Sequence, residues 1–161
     1  MVKGRNERMY VYFSPIGKLG INADEKGIRK IDFLEENVIV ENCDGENIFI
    51  MEVKKQLDEY FQGKREIFDI PLAPEGTPFQ LKVWESLKNI LYGETRSYKD
   101  IAIQIDNPKG YRAVGMANNK NPIPIIIPCH RVVGANGKLV GYAGGLDKKT
   151  FLLELERREK K

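Results

Sequence analysis

The chain has 161 residues, of which 42% are hydrophobic and 30% charged, the composition of an ordinary globular protein with one domain or two small lobes. No apolar run approaches the roughly 20 residues that cross a bilayer, and the charged N-terminus leads into no signal-peptide core. We therefore expect a cytoplasmic protein, or a nuclear one in a eukaryote. The two cysteines and one histidine lack the spacing of zinc ligands, and no glycine-rich nucleotide-binding motif occurs, so we expect neither a metal ion nor a cofactor.

The net charge of +3 is unevenly distributed along the chain. Residues 1–75 carry 11 Lys and Arg against 15 Asp and Glu, a net charge of −4. Residues 76–161 carry 15 Lys and Arg against 8 Asp and Glu, a net charge of +7. A basic second half favours a polyanionic partner such as nucleic acid.

The first half of the chain predicts a small sheet followed by a helix. Segments rich in β-prone residues, separated by turn residues, are expected to form a short antiparallel meander over residues 9–13, 19–21 and 28–34. After an acidic loop over 35–46, helical spacing of apolar residues predicts a helix over 50–61 with Gly63 at its C-terminal end. Residues 67–72 are predicted to form another strand, before a Pro- and Gly-containing segment, 74–78, that separates two lobes.

The second half predicts a series of amphipathic helices. Thr77 as N-cap and Pro78 at the first helical position begin a helix whose apolar stripe continues to Leu91. Ser97 and Asp100 match a capping box, which begins a second helix.

A third helix is predicted over residues 111–119, after a break at 106–110. Its inward residues are expected to be Ala113, Val114 and Ala117, with Arg112 outward. Two short helices joined by a tight turn form a helix-turn-helix, a motif that in many proteins only packs helices together. The small side chains on this helix allow close approach to a surface, which favours a binding role.

The segment Pro128-Cys129-His130-Arg131-Val132 follows the apolar run 125–127 and contains the only histidine. A cysteine is a strong nucleophile only as the thiolate, and a nearby histidine is the usual acceptor of its proton. Neighbouring residues of a strand point to opposite faces, so the pair needs an irregular turn or a bridging water to act together. The segment predicts a sulfur nucleophile at the end of a buried strand or in the turn after it, although a buried structural cysteine also fits the segment alone.

A glycine-rich loop over 134–145 and a closing helix over 150–158 are predicted to follow. Glu156 lies four residues after Leu152, a spacing that favours the inward face of that helix, although an exposed glutamate in the charged tail also fits the sequence.

Short motifs in a fixed order run from residue 77 to residue 156. They are Phe79-Gln80 with Val83-Trp84, Ser97-Tyr98, Arg112-Ala113-Val114-Gly115, Asn121-Pro122, Ile127-Pro128-Cys129-His130-Arg131-Val132, Gly141-Tyr142 with Gly144-Gly145, and Leu152-Leu153 with Glu156. This series resembles the O6-alkylguanine-DNA alkyltransferase family, the methylated-DNA–protein-cysteine methyltransferases. The resemblance implies an α/β (α+β) fold with a ribonuclease-H-like antiparallel sheet-and-helix lobe over 1–76. A mostly helical lobe with the helix-turn-helix would occupy 77–161.

The resemblance also implies a reaction. Members of this family turn an O6-alkylguanine, and less effectively an O4-alkylthymine, out of duplex DNA and move the alkyl group irreversibly to a cysteine, once per molecule. By this resemblance Cys129 is the nucleophile, His130 accepts its proton through a water, and Glu156 holds His130 in the required tautomer.

DNA- and base-binding residues follow from the same resemblance. Tyr98 would meet guanine N3 and stabilise the leaving guanine, Arg112 would fill the gap left by the flipped base, and Asn121 would brace the turn behind the cysteine. Further contacts to the base or to DNA are expected from Ala113, Arg131, Val132, Tyr142, Ala143 and Gly144. The expected partner is double-stranded DNA containing O6-alkylguanine, bound through its minor groove by a monomeric protein.

Three positions depart from well-known members of the family. Ala143 replaces a serine, Asn118 stands where some members have a methionine, and Phe151 replaces a tryptophan. These departures are expected to change the size of the pocket and the alkyl groups it accepts, and not the type of reaction.

Two other functions fit parts of the sequence. A non-catalytic lesion-binding protein would use the helix-turn-helix, but relatives of that kind lack the cysteine that is present here as Cys129. A hydrolase with a Cys-His-Glu triad would use the same three side chains, but it leaves the helix-turn-helix and Arg112 without a role.

Overall fold

The computed structural model describes residues 9–37 and 47–159, so Cys43 and most of the predicted acidic loop lie outside the described residues. The chain divides into two compact units between Pro74 and Glu75. No helix in the described ranges is long and apolar enough to cross a membrane.

The first unit contains the predicted antiparallel meander. Its strands are β1 (Tyr10–Ser14), β2 (Gly17–Asp24) and β3 (Gly27–Phe33), in the order β1-β2-β3. Leu19, Ile21 and Ile31 of β2 and β3 are buried, and a helix packs against the sheet. The three predicted strands are therefore confirmed, each within two or three residues at its ends.

That helix is α1 (Ile48–Phe61), and its buried residues include Ile50, Val53 and Leu57. Asn47 caps its N-terminus by accepting hydrogen bonds from two backbone N–H groups. At the other end Gln62 is the C-cap, and Gly63 follows with a φ of 76°. Gly63, the predicted cap, thus lies one position beyond the observed cap, where a left-handed residue closes a Schellman motif.

The predicted strand over 67–72 is wrong. Only Leu72 makes a β-bridge, a single parallel one with Ile28. The Ile28 N–H donates to the Pro71 carbonyl, and the Ala73 N–H donates to the Ile28 carbonyl. Proline has no N–H to extend the ladder, and Ile67 is exposed, so the segment crosses the edge of the sheet at one point only.

The second unit is mostly helical. Its elements are α2 (Pro78–Leu87), β4 (Arg96–Ser97), α3 (Tyr98–Gln104), α4 (Tyr111–Asn119), β5 (Val132–Val133) and α5 (Leu146–Glu159). The two capping boxes predicted at Thr77 and Ser97 are both present. This architecture, a small antiparallel sheet with a helix followed by a helical lobe, confirms the predicted fold class.

Helix α2 ends four residues before the predicted position. After Leu87 the chain tightens into i→i−3 hydrogen bonds, such as that from the Ile90 N–H to the Leu87 carbonyl. This tighter turn buries Ile90 and leaves Leu91 exposed, so the apolar stripe does not continue to Leu91.

Helices α3 and α4 form the predicted helix-turn-helix, and α4 has the predicted bounds. Val114, Ala117 and Asn118 are the buried residues of α4. Ala113 was expected to point inward, but it is exposed, because the buried stripe at spacing i, i+3, i+4 starts one residue later.

Candidate active site

Cys129 lies in a tight turn after the apolar segment, and not at the end of a strand. Residues Cys129–Arg131 form a single 3₁₀ turn, and the Cys129 side chain is buried. Ile125 has a φ of 76°, so the preceding run turns instead of extending. This irregular backbone meets the predicted requirement for Cys129 and His130 to act together.

Short parallel strands connect this turn to the helix-turn-helix. Val132 and Val133 of β5 pair with Arg96 and Ser97 of β4. The residue that follows β4 is Tyr98, the first residue of α3. The pairing therefore fixes Tyr98 relative to the cysteine turn, and Val132 is fully buried within it.

Asn121 lies behind the cysteine turn in the bracing position that the resemblance implies. Its side-chain N–H donates to the Ile127 carbonyl over 2.8 Å, and its Oδ1 accepts from the Ile123 N–H over 3.0 Å. Asn118 reaches the same turn from α4, where its Nδ2 donates to the Cys129 carbonyl over 3.4 Å. Two amide side chains thus hold the backbone on either side of the sulfur.

His130 and Glu156 form a buried pair. The distance from His130 Nε2 to Glu156 Oε2 is 2.7 Å, and both side chains are at most 1% exposed. An ionised carboxylate only accepts hydrogen bonds, so Nε2 carries the proton and Nδ1 has the free lone pair. Nδ1 has no hydrogen-bond partner within the described part of the chain.

Arg131 does not fit the predicted contact with DNA. Its guanidinium is buried and donates to both oxygens of Glu156, over 2.9 and 3.0 Å, and to the Ile90 carbonyl over 2.7 Å. The guanidinium also lies over the ring of Tyr92. These contacts use the side chain inside the protein, where its charge offsets that of Glu156.

The environment sets the protonation states of these groups. Burial raises the pKa of Cys129 to about 11, although a hydrogen bond with Asn121 and the charge of Lys149 act in the opposite direction. Burial lowers the pKa of His130, and Glu156 offsets that effect only in part. Burial alone raises the pKa of Glu156, but His130 and Arg131 outweigh it and hold the pKa well below its usual range. At neutral pH the site therefore holds a thiol, a neutral imidazole and a carboxylate.

A neutral histidine predicts how the reactivity of Cys129 depends on pH. The pKa of His130 lies below the ordinary value of 6.5, so the imidazole keeps its lone pair from neutral pH down to below 6.5. If His130 accepts the proton of Cys129, we expect the rate constant for reaction at this thiol to fall only below pH 6.5, measured by quench-flow between pH 5 and 8. An acid limb centred above pH 6.5 would show that His130 is not the proton acceptor.

The glycine-rich loop brings Tyr142, one of its predicted residues, near the cysteine. The Tyr142 hydroxyl is buried, and burial, together with the charges of Cys129 and Glu156, raises its pKa well above 10. Ala143 is exposed and Gly144 is half-buried. Both lie in a turn that is closed by a hydrogen bond from the Gly145 N–H to the Tyr142 carbonyl. Tyr98 is half-buried, and its hydroxyl donates to the Val140 carbonyl over 3.1 Å.

Lys149 is a residue of this site that the sequence analysis missed. The predicted closing helix began at Thr150, whereas α5 begins at Leu146 and includes Lys149. Lys149 is fully buried, and its Nζ donates to the Val140 and Gly141 carbonyls over 2.9 and 3.2 Å. Its spacing of seven residues from Glu156 would have placed both on one helix face.

The outer face of α4 is separate from this buried network. Arg112 and Ala113 are both exposed, and no described contact ties the Arg112 guanidinium to another side chain. In the parts of the chain that the structure describes, no group of three or more His, Cys, Asp or Glu could hold a metal ion.

Two family models match the chain, one for each unit. Residues 8–74 match the ribonuclease-like domain of 6-O-methylguanine DNA methyltransferase, and residues 78–158 match its DNA-binding domain. Together these two matches cover most of the chain.

Relatives and solved structures agree with these matches. The chain is 55% identical over 146 residues to the methylated-DNA–protein-cysteine methyltransferase of Methanosarcina barkeri, covering 89% of this chain and 92% of the relative. It is 46% identical over 151 residues to the constitutive methylated-DNA–protein-cysteine methyltransferase of Bacillus subtilis, covering 89% and 92%. The crystal structure of Mycobacterium tuberculosis OGT in complex with DNA is similar with a TM-score of 0.85 and 44% identity, covering 94% of this chain and 93% of that one.

The buried cysteine, its histidine and carboxylate neighbours and the helix-turn-helix thus occur in a chain that matches these proteins over nearly its full length. This chain belongs to the family of methylated-DNA–protein-cysteine methyltransferases, DNA repair proteins that transfer an alkyl group from DNA to a cysteine of their own.

Proposed function

We propose that Cys129 is the cysteine that receives the alkyl group, and that the donor is an O6-alkylguanine turned out of duplex DNA. The observation that carries the proposal is the buried turn that holds Cys129 next to the His130–Glu156 pair. A raised thiol pKa means that Cys129 needs a base, and His130 offers a free Nδ1 lone pair for that purpose.

The transfer proceeds as a balanced displacement. The thiol proton of Cys129 passes through a water to His130 Nδ1, and Glu156 stabilises the resulting imidazolium. The sulfur forms a bond to the alkyl carbon while the bond from that carbon to O6 breaks, and its electron pair stays on guanine. The guanine anion is stabilised by a hydrogen bond from the Tyr98 hydroxyl to N3 and takes up a proton from water as it leaves, while the His130 imidazolium returns its proton to water. The thioether has no route back to the thiol, so each molecule reacts once.

Recognition of the base uses the glycine-rich loop and the cysteine turn. The Cys129 and Val132 carbonyls accept from the exocyclic amine of guanine, and the Ala143 N–H lies near O6. Tyr142 forms a wall of the pocket, and Gly144 leaves room for the base. O4-alkylthymine lacks the purine contacts and is the poorer substrate.

Binding to DNA uses the exposed face of α4, which enters the minor groove. Ala113 is small enough for close approach there, and the net charge of +7 over residues 76–161 attracts the phosphate backbone. Binding is weakly sequence-dependent and strongly salt-dependent. The protein acts as a monomer, in the compartment that holds the DNA: the cytoplasm of a prokaryote or the nucleus of a eukaryote.

Arg112 is expected to speed transfer only from duplex DNA, where the damaged base must be unstacked before it can react. Its exposed side chain fills the space of the flipped nucleotide, so Arg112→Ala is expected to slow transfer from a duplex about 10- to 100-fold, because unpairing costs a few kcal/mol. Transfer from a single-stranded oligonucleotide with the same lesion should stay nearly unchanged, as measured by single-turnover kinetics. Arg112→Lys keeps the charge and is the matched control. Equal losses on both substrates would argue against the role.

Titration tests the proposal as a whole. Increasing amounts of duplex DNA with one O6-methylguanine are added to a fixed amount of protein, and repaired DNA is counted. We expect repair to stop at one lesion per protein molecule. Repair well beyond that ratio would contradict single-use transfer, and tight binding without repair would favour a lesion-binding protein.

A further inference from the structure

Met116 is an exposed apolar side chain of α4, the helix proposed to enter DNA. Its side chain is 66% exposed. Single exposed apolar residues are common on protein surfaces, so exposure alone assigns no role to Met116. Its position on the helix and the charges around it do.

Met116 belongs to a line of exposed residues that runs along α4. The buried residues of this helix are Val114, Ala117 and Asn118. Because successive residues of an α-helix are rotated by about 100°, the direction opposite to these three falls on positions 112, 116 and 119. Arg112, Met116 and Asn119 are all exposed, and we call them the outer stripe. Met116 thus lies one helical turn beyond Arg112, about 6 Å along the helix axis.

The outer stripe connects Arg112 with the glycine-rich loop. A Cβ atom added to Gly141 would lie 3.1 Å from Asn119 Nδ2 and 3.2 Å from Asn119 Oδ1, so the Asn119 side chain lies against Gly141. At the other end, Arg112 is the residue proposed to fill the space of the flipped nucleotide. Met116 therefore lies between the position that the base leaves and the loop that is proposed to bind it.

Positive charges stand at both ends of this helix. Lys109 precedes the N-cap Gly110, and Lys120 is the C-cap; both lysines are exposed. The minor groove of DNA has negatively charged phosphate walls on either side of an uncharged floor formed by base edges. An apolar side chain between two lysines fits that arrangement, which favours the floor of the minor groove as the surface that Met116 meets.

The floor of the minor groove differs between base pairs in one feature that Met116 can sense. An A·T pair presents only acceptor atoms there, whereas a G·C pair adds a donor, the exocyclic N2 amine of guanine. Methionine is flexible and apolar, and its sulfur is only a weak acceptor. Packing of Met116 against a G·C pair would therefore remove water from the amine without supplying an equivalent acceptor, which is unfavourable.

We infer that Met116 is a specificity-determining residue: it packs against the minor-groove floor beside the damaged base and makes alkyl transfer faster when the neighbouring pairs are A·T. The inference rests on the proposed function, because it requires α4 to enter the minor groove. It goes further in assigning a preference for the sequence around the lesion to one side chain. The preference is modest, since most of the affinity for DNA comes from phosphate contacts.

Duplexes that differ in the N2 amine test this inference. Each contains one O6-methylguanine, and the two pairs on either side of it are all A·T, all G·C or all inosine·cytosine. Inosine is guanine without the exocyclic amine. Second-order rate constants for transfer, which include both binding and reaction, are measured for the wild type, Met116→Ala and Met116→Gln. The affinities of undamaged duplexes of the same three compositions are measured at one salt concentration.

Leu91→Ala is the matched control, because it removes an exposed apolar side chain of the same unit outside the helix-turn-helix. Pair stability alone makes a lesion between G·C pairs harder to unpair, and that effect is common to all variants. The diagnostic quantity is therefore the ratio of the rate constants for the A·T and G·C duplexes, compared between proteins.

We expect this ratio to be about 3- to 10-fold larger for the wild type than for Met116→Ala, because the alanine variant leaves the guanine amine hydrated. Met116→Gln should also lower the ratio, since its amide oxygen can accept a hydrogen bond from the amine. Leu91→Ala should keep the wild-type ratio. The inosine duplex should group with the A·T duplex in the same comparison, because both lack the amine.

An equal ratio in the wild type and Met116→Ala would overturn the inference, as would an inosine duplex that groups with the G·C duplex. Met116 is exposed, so both of its variants are expected to fold. Absence of transfer from every duplex by the wild-type protein would instead refute the proposed function. The affinity ratios of the undamaged duplexes would in that case still decide whether Met116 senses the amine.

Discussion

Cys129→Ala is expected to abolish alkyl transfer and to leave binding to lesion-containing duplex nearly unchanged. The sulfur is the only atom of the turn that the proposed reaction consumes, and alanine preserves the backbone of the turn. Hydrogen bonds to that backbone, such as the one from Asn118 to the Cys129 carbonyl, do not involve the side chain. Transfer is measured as methyl groups gained by the protein, and binding by fluorescence anisotropy.

The second cysteine supplies the control for this prediction. Cys43→Ala should transfer the alkyl group at the wild-type rate, because only Cys129 has a histidine as its sequence neighbour. A methyl group that still appears on the Cys129→Ala protein would show that another residue is the acceptor. Loss of DNA binding in that variant would show that the cysteine also has a structural role.

Glu156→Gln is expected to lower both stability and activity. The substitution leaves the guanidinium of Arg131 buried without its counter-charge, which costs about 3–5 kcal/mol in the free energy of unfolding. It also replaces the carboxylate beside His130 with a neutral amide, which no longer stabilises the His130 imidazolium, so the transfer rate constant should fall by about 100-fold or more. Urea denaturation measures the first effect, and single-turnover kinetics at a temperature where the variant is folded measure the second.

A double variant separates these two effects. Arg131→Met with Glu156→Gln removes the buried charge along with its partner, and should recover much of the lost stability. It should not recover the transfer rate, because His130 still lacks its carboxylate. Glu154→Gln, on the exposed side of the same helix, should change neither quantity. Recovery of the rate in the double variant would show that Glu156 acts only through stability.

Acid should weaken the fold through the same carboxylate. The pKa of Glu156 is lower in the folded protein than its ordinary value of 4.5, so its contribution to stability is present above pH 4.5. That contribution is lost as the pH falls from 4.5 through the folded value.

Local sequence signals predicted the elements that carry their own start and stop residues. The capping boxes at Thr77 and Ser97 and the break before Tyr111 predicted where three helices begin. Periodicity also placed Glu156 on the buried face of α5, where the structure finds it. These features depend on residues a few positions apart, which a sequence displays directly.

Features set by tertiary contacts were not predictable in the same way. The resemblance implied that Arg131 contacts DNA, but its partners are Glu156 and the Ile90 carbonyl, 25 and 41 positions away. The segment ending at Leu72 has β-prone residues, but it pairs with the edge of the sheet only through a single bridge between Leu72 and Ile28. Lys149 was hidden because the start of α5 was placed too late, and only the fold brings its charge beside Cys129.

Intact-mass spectrometry tests the central claim most directly. The protein is mixed with duplex DNA that contains one O6-methylguanine, and with the same duplex without the lesion. We predict a mass gain of one methylene unit only with the lesion, mapped by peptide analysis to Cys129. A protein of unchanged mass, or a methyl group on any other residue, would contradict the assignment of Cys129 as the acceptor.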